Sequence, residues 1–333
     1  MKRKSNLYEK IISIENLNLA DEKARKGKMK SYGVELHDKN RERNIQQLHE
    51  TLKAGSFKTS EYSVFTIREP KERLIYRLPY FPDRILHHAI MNVLEPIWVS
   101  VFTFDSYSCI KNRGIHLAAK KLRKVLKENP EETTYCLKLD IRKFYPTIDH
   151  EILKSIVRRK IKDTQLLNLL DEIIDSADGV PIGNYLSQYM ANLYLTYFDH
   201  WLKEEKRMKY YFRYADDIII LSDSKTKLHD LLKDIQKYLQ ENLSLEVKSN
   251  WQIFPVESRG IDFIGYVFFH THVLLRKSIK KNFFRKISQL KNSISEKEFA
   301  IQTASWWGWA KHCNSKNLIK KIKINESILR PTA

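Results

Sequence analysis

Three aspartates stand where carboxylates could do chemistry. Asp216 and Asp217 are adjacent and lie between two short β-rich runs, which together predict a hairpin. Asp140 ends a third run, Tyr135–Asp140, that alternates like a strand. Adjacent carboxylates between apolar strands repel each other unless a cation is bound. The arrangement therefore predicts a metal site, although an Asp-Asp pair alone is more often an exposed turn.

The chemistry that suits such carboxylates is phosphoryl transfer to a hydroxyl group. When a 3′-hydroxyl attacks an α-phosphate, charge develops on the attacking and leaving oxygens. Two divalent ions about 3.5–4 Å apart stabilise both oxygens, and Mg²⁺ prefers carboxylate ligands. We expect Asp140, Asp216 and Asp217 to hold two Mg²⁺ ions if their strands are neighbours in one sheet.

The composition indicates a polyanionic partner. Lys and Arg number 59 against 40 Asp and Glu, which gives the 333 residues a net charge of +19. This balance favours nucleic acid, although an acidic protein partner would fit the charge as well. No stretch approaches the roughly 20 apolar residues of a membrane span. Three widely spaced cysteines fit a reducing compartment, so we expect a cytoplasmic protein.

The elements that must position the aspartates alternate between strand and helix. Residues 62–78 predict a hairpin with a basic turn. Further helices are predicted over 115–128, 150–175, 186–203 and 225–241, and further strands over 243–247 and 263–269. Residues 1–54 and those from about 276 onward have a charged, helical pattern. Strands interleaved with helices predict an α+β fold.

The order of these motifs resembles the reverse transcriptases of the bacterial, group II intron-like lineage, from about Arg68 to Asn317. Leu139–His150 resembles the palm motif that holds the first metal ligand. Arg213–Asp217 resembles the YxDD box that holds the others. The resemblance implies an RNA-directed DNA polymerase that uses Asp140, Asp216 and Asp217 for catalysis.

Two further motifs extend the resemblance. Arg77–Pro79 with Asp83-Arg84 resembles the fingers motif that meets the incoming triphosphate, and Gly260–Tyr266 resembles the motif that supports the primer. The implied architecture is a right-hand polymerase fold, with fingers and palm followed by a helical thumb. The predicted division is a basic helical extension over 1–54, fingers and palm over 55–270, and the thumb over 271–333.

The resemblance assigns nucleotide-binding roles to several side chains. Arg77 and Lys71 are expected at the triphosphate, and Lys248 as a proton donor to leaving pyrophosphate. Tyr145, five residues after Asp140, is expected to abut the sugar 2′ position and exclude ribonucleotides. The alternatives are that Tyr145 is a core aromatic, and that Arg77, Lys71 and Lys248 are ordinary solvent-exposed residues.

Other residues have expected roles along the nucleic acid. Asn184 and Gln188 are expected on the template side, or simply to cap and pack a helix, and Gly265 belongs to the primer motif. The basic segment 276–291 suits a thumb that grips the duplex backbone. Trp306, Trp307 and Trp309 could stack on bases, but tryptophans in a helical tail more often seal a small core. The His87-His88 pair has no companion ligand and is interpreted as structural.

One loop departs from the intron-type pattern, which is usually Gly-x-Pro-Gln-Gly-Gly followed by Ser-Pro. Here Ile182 replaces the Gln and Gln188 replaces the Pro. This combination, with the tail Gly308–Asn314, resembles the reverse transcriptases of diversity-generating retroelements, encoded by bacteria or phages. Such enzymes copy a template-repeat RNA with frequent errors opposite adenines. Ile182 can also be read as an apolar residue that packs under its loop.

The implied partners are template RNA, the RNA/cDNA duplex, dNTPs and a small accessory variability protein. Two alternatives stay open. Retron or abortive-infection reverse transcriptases share most of these motifs, although the 182–188 loop disfavours them. A non-catalytic RNA-binding module could keep the fold, but the presence of all three aspartates argues against it.

Overall fold

A computed structural model describes residues 3–68, 72–290 and 295–322. Backbone contacts divide the chain into two compact units. The first unit comprises Met1–Cys109, Ile141–Glu205 and Gln236–Val247. The second unit comprises Ile110–Asp140, Lys206–Ile235 and Lys248–Ala333. The predicted division into extension, fingers–palm and thumb stays a prediction.

The elements follow the expected alternation of helix and strand. The α-helices are α1 Tyr8–Ile12, α2 Ile14–Ala24, α3 Tyr32–Asp38, α4 Arg41–Lys53, α5 Ile85–Val99, α6 Ile115–Glu128, α7 His150–Arg158, α8 Thr164–Ile174, α9 Tyr185–Tyr194, α10 Thr196–His200, α11 Lys225–Leu243, α12 Val256–Arg259, α13 Lys277–Leu290, α14 Glu296–Ala310 and α15 Lys316–Ile322. The strands are β1 Ser63–Ile67, β2 Arg73–Arg77, β3 Tyr135–Asp140, β4 Tyr210–Tyr214, β5 Asp217–Ser222, β6 Gln252–Pro255, β7 Ile261–Phe263, β8 Tyr266–Phe268 and β9 Val273–Leu275. Shorter helical turns occur at Tyr80–Arg84, Glu131–Thr133, Tyr145–Thr147 and Trp201–Glu205.

The second unit is organised around a four-stranded antiparallel sheet in the order β4-β5-β3-β6. The inner strands β3 and β5 are rich in fully buried aliphatic side chains, as expected for strands paired on both edges. Helix α6 lays a stripe of buried residues, Ala118, Leu122 and Leu126, at helical spacing and contacts β4. Asp140 ends β3 and Asp217 begins β5, so both lie at one end of the two inner strands of this sheet.

A smaller sheet, in the order β7-β8-β9, and the C-terminal helices complete the second unit. Phe283, Ile287, Leu290 and Phe299 form a buried cluster, against which Trp306 and Trp307 pack. The rings of Phe283 and Trp306 are stacked with centroids 5.7 Å apart. The prediction that these tryptophans seal a small core is confirmed.

In the first unit, helix α5 is buried along most of its length and packs against α2 and α9. Fully buried Asp21 of α2 accepts hydrogen bonds from Arg25, Arg41 and the hydroxyl of Tyr80, the last at 2.5 Å. Burial alone would raise the pKa of Asp21, but hydrogen bonds from His37, Tyr80 and the two arginines hold it well below its usual range. Asp21 therefore ties the N-terminal helices to the turn Tyr80–Arg84. His87 of α5 is also buried, and its pKa is lowered to about 3, mainly by burial, which fits a structural role.

Most predicted elements are confirmed, but four are wrong in whole or in part. The predicted helix 150–175 is divided into α7 and α8, and the predicted strand 263–269 is shortened to β8, because the chain turns at Ile264 and Gly265, which both have a positive φ. The predicted helix 186–203 is interrupted at Leu195, where ψ is −2°. Thr196 donates its hydroxyl to the carbonyl of Asn192, a bond that commonly bends helices. The predicted strand 243–247 is not formed, because α11 continues to Leu243 and Ser244 has a left-handed φ of 50°. The outer edge of β3 pairs instead with β6.

None of the helices in the described part of the chain is both long and apolar enough to span a membrane.

Candidate active site

Sheet register brings two of the three predicted aspartates face to face. Strands β4 and β5 form a hairpin in which Tyr214 pairs with Asp217, leaving Ala215 and Asp216 as the two-residue turn. Strand β3 lies on the other side of β5, with Asp140 directly opposite Asp217. Directly paired residues on neighbouring strands have Cβ atoms about 4.5–5.5 Å apart, so the two carboxylates share one end of the sheet.

The turn that carries Asp216 is braced from within the unit. Ala215 has a φ of 55°, which a side chain other than glycine adopts at a cost of about 1 kcal/mol. Fully buried Arg213 donates to the carbonyl of Ala215 at 3.1 Å. This internal hydrogen bond holds the strained turn in place and so fixes Asp216 and Asp217 at its end.

Asp217 lies in an environment that disfavours its charge. Its Oδ1 atom is buried and accepts no hydrogen bond from any described residue. The pKa of Asp217 is raised from 3.8 to about 6, mainly by burial and also by the charges of Asp140 and Asp216, against the opposing effect of Lys138 and Arg276. A buried, unsatisfied carboxylate oxygen beside two other carboxylates is the environment that a hard cation would relieve.

Two lysines approach these carboxylates. The Nζ atom of Lys248 lies 3.5 Å from Oδ2 of Asp140, and its backbone N–H donates to the Asp140 carbonyl at 2.8 Å. The Nζ atom of Lys138 lies 3.9 Å from Oδ1 of Asp217. Lys248 was singled out from the sequence, whereas Lys138 was missed. The signal for Lys138 was its place two residues before Asp140 on an alternating strand, which puts both side chains on one face.

The three carboxylates suit a magnesium site by donor type but do not form a closed one. Within residues 3–68, 72–290 and 295–322, no three His, Cys, Asp or Glu side chains are gathered closely enough to hold a metal ion. Asp140 and Asp217 are opposed in register, and Asp217 has an unsatisfied oxygen. Mg²⁺ characteristically uses one or two carboxylates together with substrate phosphates and water, so this open arrangement fits it.

In the first unit, the loop of residues 179–184 forms backbone hydrogen bonds with two other segments of the chain. The N–H of Val180 donates to the carbonyl of Tyr145 at 2.9 Å, and the N–H of Tyr76 donates to the carbonyl of Ile182 at 2.8 Å. The loop thus joins three groups predicted to meet the nucleotide: Tyr145, Ile182 and strand β2 with its terminal Arg77. Sequence spacing alone would not have revealed this connection.

Two glycines make these close approaches possible. A Cβ on Gly179, where φ is 59°, would lie 2.5 Å from the carbonyl oxygen of Tyr145 and 2.6 Å from that of Pro146. A Cβ on Gly183, where φ is 126°, would lie 2.8 Å from the carbonyl oxygen of Tyr76. Both positions require a residue without a side chain.

Tyr145 begins the 3-10 turn Tyr145–Thr147 and is half-buried. Its neighbour Phe144 is 2% exposed and fills the adjacent core position, with the two rings in edge contact at 5.5 Å. The core aromatic at this turn is thus Phe144, which leaves the Tyr145 ring partly accessible. The steric role of Tyr145 stays a prediction.

The remaining predicted residues lie in different surroundings. Arg77 and Gln188 are exposed, Ile182 is half-buried, and Asn184 is buried with an Nδ2 atom that has no partner among the described residues. Gly265 lies in the β7–β8 turn with a φ of 89°, and a Cβ there would overlap the ring of Trp309. This close approach is a structural reason for glycine at 265. Lys71 lies outside the described residues.

A group of cations accompanies Arg77. Burial and the charge of Arg77 lower the pKa of half-buried Arg84. Burial, Arg84 and Arg77 likewise lower the pKa of Lys28, in the segment between α2 and α3. None of the three side chains forms an ion pair within the described part of the chain. Cations collected without a counter-ion suit an anionic ligand, and Lys28 had not been anticipated from the sequence.

Comparison with known proteins identifies the family. A family model described as reverse transcriptase (RNA-dependent DNA polymerase) matches residues 67–268. Protein YkfC of Escherichia coli (strain K12) is 24% identical over 274 residues, which cover 69% of this chain and 70% of YkfC. Group II intron-encoded protein LtrA of Lactococcus lactis subsp. cremoris is 24% identical over 178 residues, 50% of this chain and 29% of LtrA.

Among solved structures, telomerase from Candida tropicalis in complex with a fragment of telomeric RNA aligns with a TM-score of 0.48 and 14% identity, covering 82% of this chain and 53% of that one. The chain therefore spans less than a third of the intron-encoded relative and about half of the telomerase.

Proposed function

Because the chain belongs to the reverse transcriptase (RNA-dependent DNA polymerase) family, we propose that it copies an RNA template into DNA at Asp140, Asp216 and Asp217. Family membership confirms the expected α+β, right-hand polymerase fold and the enzyme class. The observation that carries the proposal is the pairing of Asp140 with Asp217, whose buried Oδ1 has no hydrogen-bond partner within the part of the chain described.

Each of these groups of residues has a proposed task of its own. The three aspartates would hold two Mg²⁺ ions, which when bound polarise the attacking and leaving oxygens. The cations Arg77, Arg84 and Lys28 bind the anionic triphosphate, since they lack counter-ions among the described residues. Lys248, 3.5 Å from Asp140, donates a proton to the leaving pyrophosphate.

Tyr145 is proposed to exclude ribonucleotides by steric contact with the 2′-hydroxyl group. The support is its half-buried ring, together with the hydrogen bond by which the N–H of Val180 in the 179–184 loop fixes the backbone carbonyl of Tyr145. Asn184, Gln188 and Gly265 are proposed to serve the template and primer strands, and Lys71 to assist at the triphosphate, by their match to family motifs.

The proposed activity has a direct test. The purified chain should extend a DNA primer on a defined RNA template with dNTPs and Mg²⁺, and chelation with EDTA should stop extension. Asp216→Asn serves as the inactive control, and it should keep duplex binding because Asp216 is a half-buried residue of a turn and Asn has nearly the same shape. Duplex binding without any extension by the wild-type chain would instead support a non-catalytic RNA-binding module.

Within the family, we propose the role of a diversity-generating retroelement enzyme: error-prone copying of a template-repeat RNA in the cytoplasm of a bacterium, with a small accessory variability protein as partner. The loop with Ile182 and Gln188 supports this proposal. Sequencing the cDNA should show errors concentrated opposite template adenines. Errors spread evenly over the four bases would favour a retron or abortive-infection enzyme.

The replacement Ile182→Gln should lower misincorporation opposite adenine about fivefold, since one added hydrogen bond contributes about 1 kcal/mol. An isoleucine offers only apolar contact, so a poorly shaped base pair loses little by comparison with a correct one. Deep sequencing of cDNA measures the effect. Ile14→Gln, at an isoleucine of α2 that is 37% exposed, is the control and should not change the error spectrum. An unchanged spectrum for Ile182→Gln would mean that Ile182 only packs under its loop.

A further inference from the structure

Lys138 is a charged residue in the middle of the central strand of a sheet. Strand β3 is paired on both edges at this position, with Ile219 of β5 and with Gln252 of β6. Most of its neighbours along the strand are buried and apolar. A lysine here must send its ammonium group out of the sheet on the face that also carries Asp140. Such a position calls for specific partners rather than solvent alone.

The ammonium group has two partners in the second unit. It lies 3.9 Å from Oδ1 of Asp217, too far for a hydrogen bond but close enough for an ion pair. It also donates a hydrogen bond to the backbone carbonyl of Asp262, at the centre of β7. Lys138 therefore lies between the carboxylate of Asp217, the first residue of β5, and the β7–β8 hairpin.

The same hairpin is also held by Arg276. Its guanidinium group contacts Oδ1 of Asp262 at 2.6 Å, and its backbone N–H donates to the carbonyl of Gly265 at 3.0 Å. The hairpin is thus bonded to Lys138 through the backbone carbonyl of Asp262, and to Arg276 through the Asp262 side chain and the carbonyl of Gly265. This hairpin is the segment that resembles the primer-supporting motif.

We propose that Lys138 is a positioning residue, which holds the Asp217 carboxylate in register with the β7–β8 hairpin and so aligns the metal ligand with the primer support. The inference rests on the proposed polymerase function. Lys138 also places a positive charge beside an oxygen that would otherwise be open to a metal ion. Its removal should therefore have two opposite consequences: easier metal binding and slower chemistry.

The test uses the full chain with Lys138→Met, which removes the charge and keeps the stem, and Lys138→Arg, which keeps the charge and the donor. Lys138→Met should lower kcat for nucleotide addition about tenfold through misalignment. It should tighten Mn²⁺ binding, followed by electron paramagnetic resonance, about threefold through the lost repulsion. Lys138→Arg should stay within about threefold of wild type for both. Lys138→Gln replaces the Met variant if that variant unfolds.

Lys233→Met is the matched control, because Lys233 is an exposed lysine of the same unit paired with Asp230. A wild-type kcat for Lys138→Met would overturn the proposal. A parallel loss of rate, metal affinity and melting temperature in both Met and Arg variants would also overturn it, since packing alone would then explain the residue. Absence of extension by the wild-type chain would sink the proposed function, whereas the shift in Mn²⁺ affinity would still report on Lys138.

Discussion

Replacing Asp217 by Asn is expected to abolish nucleotide addition and at the same time to make the metal-free protein more stable. The activity should fall by about a thousandfold, the equivalent of about 4 kcal/mol of lost transition-state stabilisation. The free energy of unfolding without metal should rise by about 1 to 2 kcal/mol at neutral pH. The two effects have opposite signs because the Asp217 carboxylate is needed for catalysis but lowers the free energy of unfolding when no metal is bound.

The gain in stability follows from the raised pKa of Asp217. Burial and two neighbouring carboxylates raise it from 3.8 in the unfolded chain to about 6 in the folded one. Between these values the unfolded chain loses its proton while the folded chain keeps it, so stability falls as the pH rises from about 4 to about 6. The full shift would correspond to about 3 kcal/mol, which we reduce because 30% of the side chain is exposed and water screens its charge.

Urea unfolding in EDTA at several pH values measures this effect. The Asn variant should be more stable than wild type above pH 6 and should match it near pH 3, where Asp217 is largely protonated in both states. Asp230→Asn, at an exposed carboxylate of α11, is the control and should show no such pH-dependent gain. An Asn variant that is less stable than wild type at every pH would contradict the prediction.

Replacing Gly179 by Ala is expected to lower the free energy of unfolding by about 3 kcal/mol and to weaken the discrimination between dNTPs and ribonucleotides. The left-handed backbone at 179 accounts for about 1 kcal/mol. The added methyl group would also lie 2.5 Å from a carbonyl oxygen of Tyr145, and backbone cannot move aside cheaply. Relieving that overlap adds about 2 kcal/mol and must displace either the loop or Tyr145.

Gly55 provides the control that separates the two costs. Its φ of 64° is close to the 59° of Gly179, but nothing lies within 4 Å of a Cβ at this position. Gly55→Ala should therefore cost only about 1 kcal/mol and leave sugar selectivity unchanged. Urea unfolding and competition between dNTP and rNTP incorporation measure the two effects. Equal losses of stability in both variants would show that the contact with Tyr145 is easily relaxed.

The elements around the aspartates were predictable because their patterns are local. Alternation over 135–140 and the apolar runs around the Asp-Asp pair correspond to β3, β4 and β5 as the structure has them. The failed strand at 243–247 shows the limit of such patterns. Leu243 in this segment ends α11, and Val247 forms only a single β-bridge with Ile141. Strand β6 pairs with the edge of β3 instead. Which segment pairs with the edge of a sheet depends on tertiary contacts, and a local sequence pattern carries no information about them.

The candidate site was predictable in its residue types but not in its connections. The opposition of Asp140 and Asp217 is a matter of register, and a shift by one residue would have turned one carboxylate to the other face. The two partners of Lys138, Asp217 and Asp262, are 79 and 124 residues away along the chain. The bonds of the 179–184 loop to Tyr145 and Tyr76 also join distant segments, so neither spacing nor periodicity could indicate them.

The hydrogen bond from Tyr80 to Asp21 has a consequence for how this protein can be recombined with its relatives. The matched family segment begins at residue 67 and so contains Tyr80, whereas Asp21 lies before it. A chimera joined at residue 67 would take Asp21 and Tyr80 from different parents, and a parent without the matching group would weaken the network around the buried carboxylate. The segment to exchange as one piece is therefore longer than the matched one, and we expect stable chimeras when Asp21 and Tyr80 come from the same parent.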